Sequence, residues 1–233
     1  MTPRQRIIRL TVGAYCILSL PLVLVSLKSE YVRFVAVQTV TNWKGKLNGV
    51  SSAYVGDSIT AGGRNWGSML DAINFAGDGY TVWQIEGQLG KAETYSPKRI
   101  FILAGTNDIL GRRPFDLKQF ELDYSSLLDR ASGLKADIYV TLIPFTARAE
   151  ANKMIPSANQ TILRLASSRG VPTIDLNPTI APDGILLPEY TVDGVHFSDG
   201  AYKIWRTALE AAIQKTEAEQ DGGGQPATRP ESK

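Results

Sequence analysis

The sequence contains the three residue types that nucleophilic catalysis by a serine hydroxyl requires, in Ser58, Asp193 and His196. A hydroxyl is a weak nucleophile at neutral pH, so it needs a base to take its proton, and the base needs a third group to hold its tautomer. His196 is the only histidine of the chain, so a mechanism that uses an imidazole must use this residue. We therefore predict that Ser58 is the nucleophile, His196 the base and Asp193 the residue that orients the imidazole.

The same chemistry needs hydrogen-bond donors where negative charge develops on the attacked carbonyl oxygen. The backbone N–H of Ser58, the backbone N–H of Gly77 and the side-chain amide of Asn107 would together form a three-donor oxyanion hole. Loss of one such donor typically lowers the rate by roughly 10²–10³. Each of these three positions is therefore expected to matter individually.

Short apolar runs alternate with helical patterns through the middle of the chain. The runs are typical of strands covered on both faces, and they span 50–55, 72–75, 99–104, 137–143 and 171–176. Apolar residues at helical spacing follow Asp116, a predicted N-cap, and recur over 158–168 and 201–215. This alternation predicts an α/β fold in which helices cover both faces of a parallel sheet. Ligands bind at the carboxyl ends of the strands in such folds.

Length, charge and metal-ligand content exclude several other classes of protein. With 233 residues, 43% of them hydrophobic, the chain is long enough for one domain with a substantial core. The 25 Lys and Arg residues nearly balance the 23 Asp and Glu residues, which argues against a nucleic-acid-binding surface. One cysteine and one histidine exclude an intramolecular disulfide, a cysteine-based metal cluster and a multi-histidine metal site.

The two ends of the chain differ from its middle. Arginines within residues 1–9 precede an apolar run over 10–27, a length at the lower limit of the roughly 17–25 residues that cross a bilayer. We predict an uncleaved transmembrane signal anchor at 10–27, in preference to a cleaved signal peptide or a buried helix, with residues 1–9 in the cytoplasm. A linker over 28–43 then leads to a globular domain at 44–215, on the periplasmic or cell-surface face. Residues 216–233 contain almost nothing apolar and are predicted to form a disordered tail.

Simpler structural roles compete with the catalytic ones. Ser58 follows a predicted strand, so its hydroxyl could cap the next helix instead of attacking a substrate. Asn107 could serve as a turn residue. Arg112 and Arg113 form either a solvated pair or a contact for an anionic substrate, and Trp83 is either a packing aromatic or part of a sugar-binding rim.

Four blocks of the sequence resemble those of the SGNH (GDSL-type) hydrolases, in the same order and across the whole predicted domain. They are 56–60 around Ser58, 76–78 around Gly77, 105–108 around Asn107, and 193–198 with Asp193 and His196. The resemblance implies a flavodoxin-like three-layer α/β/α sandwich with the triad and the oxyanion hole at these residues. The glycine block departs from the family pattern, because the usual glycine two residues after Asn74 is missing. Gly79 is therefore the alternative to Gly77.

The family comprises esterases, lipases and carbohydrate acetylesterases, so the resemblance implies a serine esterase that needs no metal or organic cofactor. Together with the predicted anchor, it implies a membrane-anchored enzyme that hydrolyses short acyl esters of carbohydrates or lipid-like substrates through an acyl-enzyme. Short acyl groups, such as acetyl, are favoured because the sequence has no long apolar lid insertion. Two alternatives use the same fold: acyl transfer to glycans by the same triad, and a non-catalytic membrane-tethered glycan-binding module. The expected partners are a small-molecule or glycan ester and the membrane, with no nucleic acid.

Overall fold

The computed structural model describes residues 39–40, 43, 45–63 and 72–222 of the chain. The predicted anchor at 10–27 and the basic segment at 1–9 lie outside the described residues, as do most of the predicted linker and the end of the predicted tail. Within the described part of the chain, no helix combines the length and the apolar character needed to cross a membrane.

A five-stranded parallel sheet forms the centre of the fold. In chain order its strands are β1 (Ser52–Gly56), β2 (Ala72–Asn74), β3 (Arg99–Leu103), β4 (Asp137–Thr141) and β5 (Thr173–Ile174). They lie side by side in the order β2-β1-β3-β4-β5, with Gly56 at the end of β1 opposite Leu103 at the end of β3. The strand order reverses between β1 and β3, and open α/β sheets bind their ligands at such a switch point.

Helices cover both faces of this sheet. They are α1 (Ser58–Gly62), α2 (Val82–Glu93), α3 (Thr106–Leu110), α4 (Leu117–Ser132), α5 (Ala149–Asn152), α6 (Ile155–Ser167), α7 (Asn177–Ile180) and α8 (Asp199–Gly222), with a 3₁₀ turn at Pro188–Tyr190. Successive strand residues point to opposite faces. Val55 and Ile102 pack in the core under α2, α4 and α6, whereas Tyr54 and Phe101 pack in the core under α8. The predicted three-layer arrangement with a parallel sheet is confirmed.

Three elements differ from the sequence prediction. The helix α2 was not predicted, because Gly87 and Gly90 weaken its pattern and a buried glutamine interrupts its apolar stripe. The strand β5 has only two residues where 171–176 was predicted. The strand β4 ends at Thr141 because the backbone of Ile143 pairs with a side chain: its N–H donates to Asn159 over 2.8 Å and its C=O accepts from the same amide over 2.9 Å.

The last helix also extends beyond residue 215, where the sequence predicts that the domain ends and a disordered tail begins. The helix α8 continues past Lys215 to Gly222, so residues 216–222 are helical and do not belong to a disordered tail. The central residues of this stretch, 217–220, are glutamate, alanine, glutamate and glutamine, which favour helix. Glu217 in it also forms an ion pair with Arg99 at the start of β3, which ties the extended helix to the sheet.

Candidate active site

The junction between β1 and α1 carries the predicted nucleophile. Asp57 is the N-cap of α1, because its side chain accepts a hydrogen bond of 2.9 Å from the backbone N–H of Ile59. Ser58 is therefore the first residue of α1, and its hydroxyl does not have the capping role that the sequence also allowed. Instead, Ser58 Oγ lies 2.9 Å from Nε2 of His196.

The structure joins Ser58, His196 and Asp193 in one hydrogen-bonded chain. Nδ1 of His196 lies 2.6 Å from Oδ2 of Asp193. The other carboxylate oxygen, Oδ1, accepts the backbone N–H groups of Val195 and His196 over 3.0 and 2.8 Å. The side chains of His196 and Asp193 are 41% and 51% exposed, so a substrate can reach the imidazole from solvent.

These hydrogen bonds determine which atoms carry protons. The backbone N–H of His196, followed by its imidazole, lowers the pKa of Asp193 to about 2. Asp193 is therefore ionised at neutral pH and can only accept hydrogen bonds. In the neutral imidazole Nδ1 then carries the proton, which leaves Nε2 as the acceptor for the Ser58 hydroxyl. This is the arrangement that deprotonation of a serine requires.

A tight turn holds Asp193 and His196 in register. The hydroxyl of Thr191 accepts the N–H of Gly194 over 2.8 Å and donates to the C=O of His196 over 2.8 Å. Gly194 has a φ of 88°, a left-handed conformation that favours glycine. Its C=O accepts the N–H of Ala147, in the loop after β4, over 2.7 Å. The turn is thus attached to the neighbouring loop at the edge of the sheet.

Gly77 has a structural role in the fold. Its N–H donates to the C=O of Gly56 over 3.1 Å, so this group already has an acceptor. A Cβ at Gly77 would lie 2.7 Å from the ring of Tyr80, so a glycine is needed here to make room for that ring. The structure therefore does not support the expectation that the N–H of Gly77 points to an oxyanion.

Gly79 has the properties that Gly77 lacks. It is the third residue of a turn that the N–H of Tyr80 closes on the C=O of Gly77 over 3.4 Å, and its φ is 73°. A positive φ at this position of a turn favours glycine. The N–H of Gly79 has no acceptor among the described residues, and a Cβ there would meet nothing within 4 Å. This N–H is therefore available to a ligand.

Asn107 lies in α3, directly after β3 and next to the turn at residues 77–80, which we call the glycine turn. Its side-chain amide donates one hydrogen bond of 3.1 Å to the C=O of Tyr80. An amide nitrogen carries two protons, so a second donor remains. The preceding Gly105 has a φ of 116°, and a Cβ there would lie 2.6 Å from Ile143. The sharp bend at Gly105 lets α3 start immediately and brings Asn107 to this edge of the sheet.

Gln88 is buried on α2 and is not among the site residues that the sequence predicts. Its Oε1 accepts the N–H of Gly56 over 2.8 Å, and its Nε2 donates to the C=O of Gly56 over 3.0 Å. These two bonds fix the last residue of β1, two positions before Ser58. The available signal was a glutamine on the otherwise apolar stripe between Ile85 and Leu89.

Asp57 is fully buried behind the nucleophile, with 0% of its surface exposed. Burial raises its pKa to about 6, although the hydrogen bond from Ile59 opposes the rise. Trp83 is 70% exposed, which contradicts a packing role for it, and Arg112 and Arg113 are exposed. Within the described part of the chain, neither arginine forms an ion pair.

The model of the GDSL-like lipase/acylhydrolase family matches residues 54–204. The chain belongs to this family. The match extends from β1 into α8 and contains Ser58, Asn107, Asp193 and His196. This GDSL-type hydrolase is accordingly an enzyme that acts on esters. No curated protein matches the chain.

Solved structures share the fold of this GDSL-type hydrolase. A GDSL-like lipase from Bacteroides thetaiotaomicron is 22% identical, with a TM-score of 0.66, over 80% of this chain and 100% of the other. A lipase/acylhydrolase from Enterococcus faecalis is 21% identical, with a TM-score of 0.56, over 77% and 100% of the two chains. An acetyl xylan esterase from Geobacillus stearothermophilus is 16% identical, with a TM-score of 0.59, over 72% and 96%. At these identities the likeness concerns the fold.

Proposed function

We propose that this GDSL-type hydrolase is a serine esterase that forms an acyl-enzyme on Ser58. The observation that carries the proposal is the hydrogen-bonded chain from Ser58 Oγ through His196 to Asp193, with distances of 2.9 and 2.6 Å. Its second support is electrostatic: the lowered pKa of Asp193 keeps this carboxylate ionised and fixes the tautomer that can accept the serine proton.

Acylation and deacylation use the same three residues. Ser58 Oγ attacks the carbonyl carbon of the ester while Nε2 of His196 takes the hydroxyl proton. The bond to the alcohol then breaks, and the imidazolium gives that proton to the leaving oxygen. A water molecule next attacks the acyl-enzyme, passing its proton to Nε2, and Ser58 regains a proton as the acid leaves. Asp193 remains ionised, holds the Nδ1 proton and stabilises the imidazolium.

The oxyanion hole of the proposal consists of the Ser58 N–H, the Gly79 N–H and the second amide proton of Asn107. Gly79 takes the place of Gly77, because the N–H of Gly77 is bonded to Gly56 while that of Gly79 has no acceptor among the described residues. On this proposal, Asn107→Ala lowers kcat by roughly 10²–10³ and changes KM much less, since the amide acts on charge that develops in the transition state.

The proposed substrates are short acyl esters, in particular acetyl esters, of carbohydrates or lipid-like alcohols. The exposed imidazole supports a bulky alcohol, because such a group can stay in solvent while only the carbonyl reaches Ser58. The shared fold with an acetyl xylan esterase supports an acetyl group on a sugar. The 70% exposed indole of Trp83 follows the glycine turn, and an exposed aromatic ring is suited to packing against a sugar ring.

The test is turnover of p-nitrophenyl acetate and longer acyl homologues by the full chain and by Ser58→Ala and His196→Ala. We expect both variants to lose at least about 10³-fold in kcat. Ser198→Ala is the matched control, because its hydroxyl donates to the C=O of Glu189 and not to the imidazole. Turnover that survives Ser58→Ala contradicts the proposal. Acetylated sugars with and without an added acceptor sugar then separate hydrolysis from acyl transfer, the latter giving an acetylated acceptor.

We further propose that residues 10–27 anchor the enzyme in a membrane with the hydrolase domain outside the cytoplasm. The support is the sequence alone, an apolar run that follows several arginines. The test is extraction of cell membranes at alkaline pH, followed by protease treatment of intact spheroplasts. Retention of the chain in the pellet and cleavage of the domain by external protease are expected. Release of the whole chain at alkaline pH contradicts the anchor.

A further inference from the structure

Two adjacent side chains of α3 contact the segment that leads from the glycine turn into α2. The amide of Asn107 donates to the C=O of Tyr80 over 3.1 Å, and Oδ2 of Asp108 accepts the N–H of Val82 over 3.0 Å. Two consecutive residues of this short helix thus bind two backbone groups, at Tyr80 and Val82, of the segment that leads into α2. Gly79, the proposed oxyanion donor, immediately precedes this doubly held segment.

The bond from Val82 is not needed to begin α2. That helix has a cap of its own, since the side chain of Gln84 accepts the N–H of Thr81 over 3.0 Å. A carboxylate is also an unfavourable acceptor for a purely structural hydrogen bond at this position. Burial raises the pKa of Asp108 to about 6, so its ionisation at neutral pH opposes folding. A carboxylate at such a position, next to Asn107, points to a role at the site.

We propose that Asp108 is a positioning residue for the oxyanion hole: by holding Val82, it fixes the turn that carries Gly79 against the amide of Asn107. Without this bond, the hydrogen bond from Asn107 to Tyr80 is the one that still joins the segment 79–82 to α3 among the described residues. The two donors can then move apart, and donors a fraction of an ångström from their place lose much of their effect on the transition state. This inference rests on the proposed function, because it presupposes an oxyanion.

The first test compares Asp108→Ala with Asp108→Asn in the full chain, with p-nitrophenyl acetate as substrate. Asp108→Ala removes the acceptor, and we expect kcat to fall by about 10- to 100-fold with KM within about threefold of the parent value. Asp108→Asn keeps an oxygen that can accept the N–H of Val82, and it is expected to retain kcat within about threefold. Both are assayed well below their own melting temperatures, so that a loss of stability is measured separately.

The second test is a double-mutant cycle with Asn107→Ala. If Asp108 acts by positioning the donors, Asp108→Ala has much less to disturb once Asn107 is gone, and its effect on kcat shrinks at least fivefold. A purely structural role for Asp108 predicts the same loss in both backgrounds. The control for loss of a helix-capping carboxylate is Asp116→Ala, because Asp116 caps α4 through the N–H groups of Lys118 and Gln119 at an exposed position.

The outcomes separate the two proposals. A kcat of Asp108→Ala within twofold of the parent, or an undiminished effect in the Asn107→Ala background, overturns the role of Asp108 while leaving the serine mechanism intact. Failure of the parent to turn over esters, or turnover that survives Ser58→Ala, rejects the mechanism itself. Loss in Asp108→Ala, recovery in Asp108→Asn and a reduced effect in the cycle support the proposed role.

Discussion

The buried carboxylate behind the nucleophile gives a stability prediction whose sign and size follow from the structure. Asp57 is 0% exposed, and burial raises its pKa from the ordinary value of 3.8 to about 6. A carboxyl group whose pKa is raised by folding opposes the folded state once it ionises, so its cost is present above about pH 6 and disappears as the pH falls toward 3.8. Asp57→Asn replaces the ionisable group by one that stays neutral and can still accept the N–H of Ile59.

The size of the effect follows from the separation between the two pKa values. At about 1.4 kcal/mol per pH unit, a rise from 3.8 to about 6 costs about 3 kcal/mol of unfolding free energy at pH 8. Partial protonation in both states reduces this cost to about 1 kcal/mol at pH 4.5. Asp57→Asn is therefore expected to gain about 2 kcal/mol more stability at pH 8 than at pH 4.5. Any constant offset from the new amide cancels in this comparison.

The assay is urea unfolding of the parent and of Asp57→Asn at several pH values between 4.5 and 8, with the difference in unfolding free energy as the readout. Asp129→Asn is a control of opposite sign, because the hydrogen bond from the partly buried Arg169 lowers the pKa of the exposed Asp129. Its loss of stability is expected near neutral pH and fades in acid. A difference for Asp57→Asn that is flat with pH, or that grows as the pH falls, refutes the reasoning about burial.

Three further substitutions test other parts of the structure. Asp193→Asn lowers kcat by roughly 10³–10⁴ in the p-nitrophenyl acetate assay, because an amide no longer enforces the Nδ1 proton; a loss under tenfold contradicts this. Thr141→Val lowers the unfolding free energy by about 1–3 kcal/mol, because the fully buried indole N–H of Trp205 loses its acceptor at 2.9 Å. Gln88→Leu lowers the unfolding free energy by about 1–3 kcal/mol, because it leaves the buried N–H of Gly56 without an acceptor. Thermal unfolding checks the Thr141 and Gln88 variants, and an unchanged melting temperature contradicts the prediction for that variant.

The sequence was most informative where local chemistry repeats in short blocks. Ser58, Asp193 and His196 were recognisable because their residue types are rare in combination and each block adjoins a predicted strand or helix. The hydrogen-bonded chain that joins them spans 138 residues of sequence, from Ser58 to His196, and only the fold brings it about. The order of the strands brings these residues together, because the blocks lie at the ends of neighbouring strands and just before α8.

The sequence was least informative where backbone groups decide the role of a residue. Gly77 and Gly79 are indistinguishable as letters, and the choice between them depends on where each N–H points. That direction is set by the pairing of the Gly77 N–H with the C=O of Gly56, a contact between distant segments. The end of α8 was misplaced for a related reason. The residues after Lys215 are too polar to predict a packed helix, yet Glu217 reaches Arg99 on the sheet.

The position of the nucleophile depends on Gly56, a residue with no side chain to contribute. Its N–H and C=O are both held by Gln88, and its C=O also accepts the N–H of Gly77. A Cβ at this position would meet the hydroxyl of Thr60 and lie 2.6 Å from the C=O of Leu103, so only glycine lets β1 end this close to β3. Because α2, the glycine turn and β3 all converge on this one residue, the chain enters α1 from a fixed point. A serine hydroxyl two residues further on is then held in place by backbone contacts before any substrate binds, which is the preorganisation that efficient attack requires.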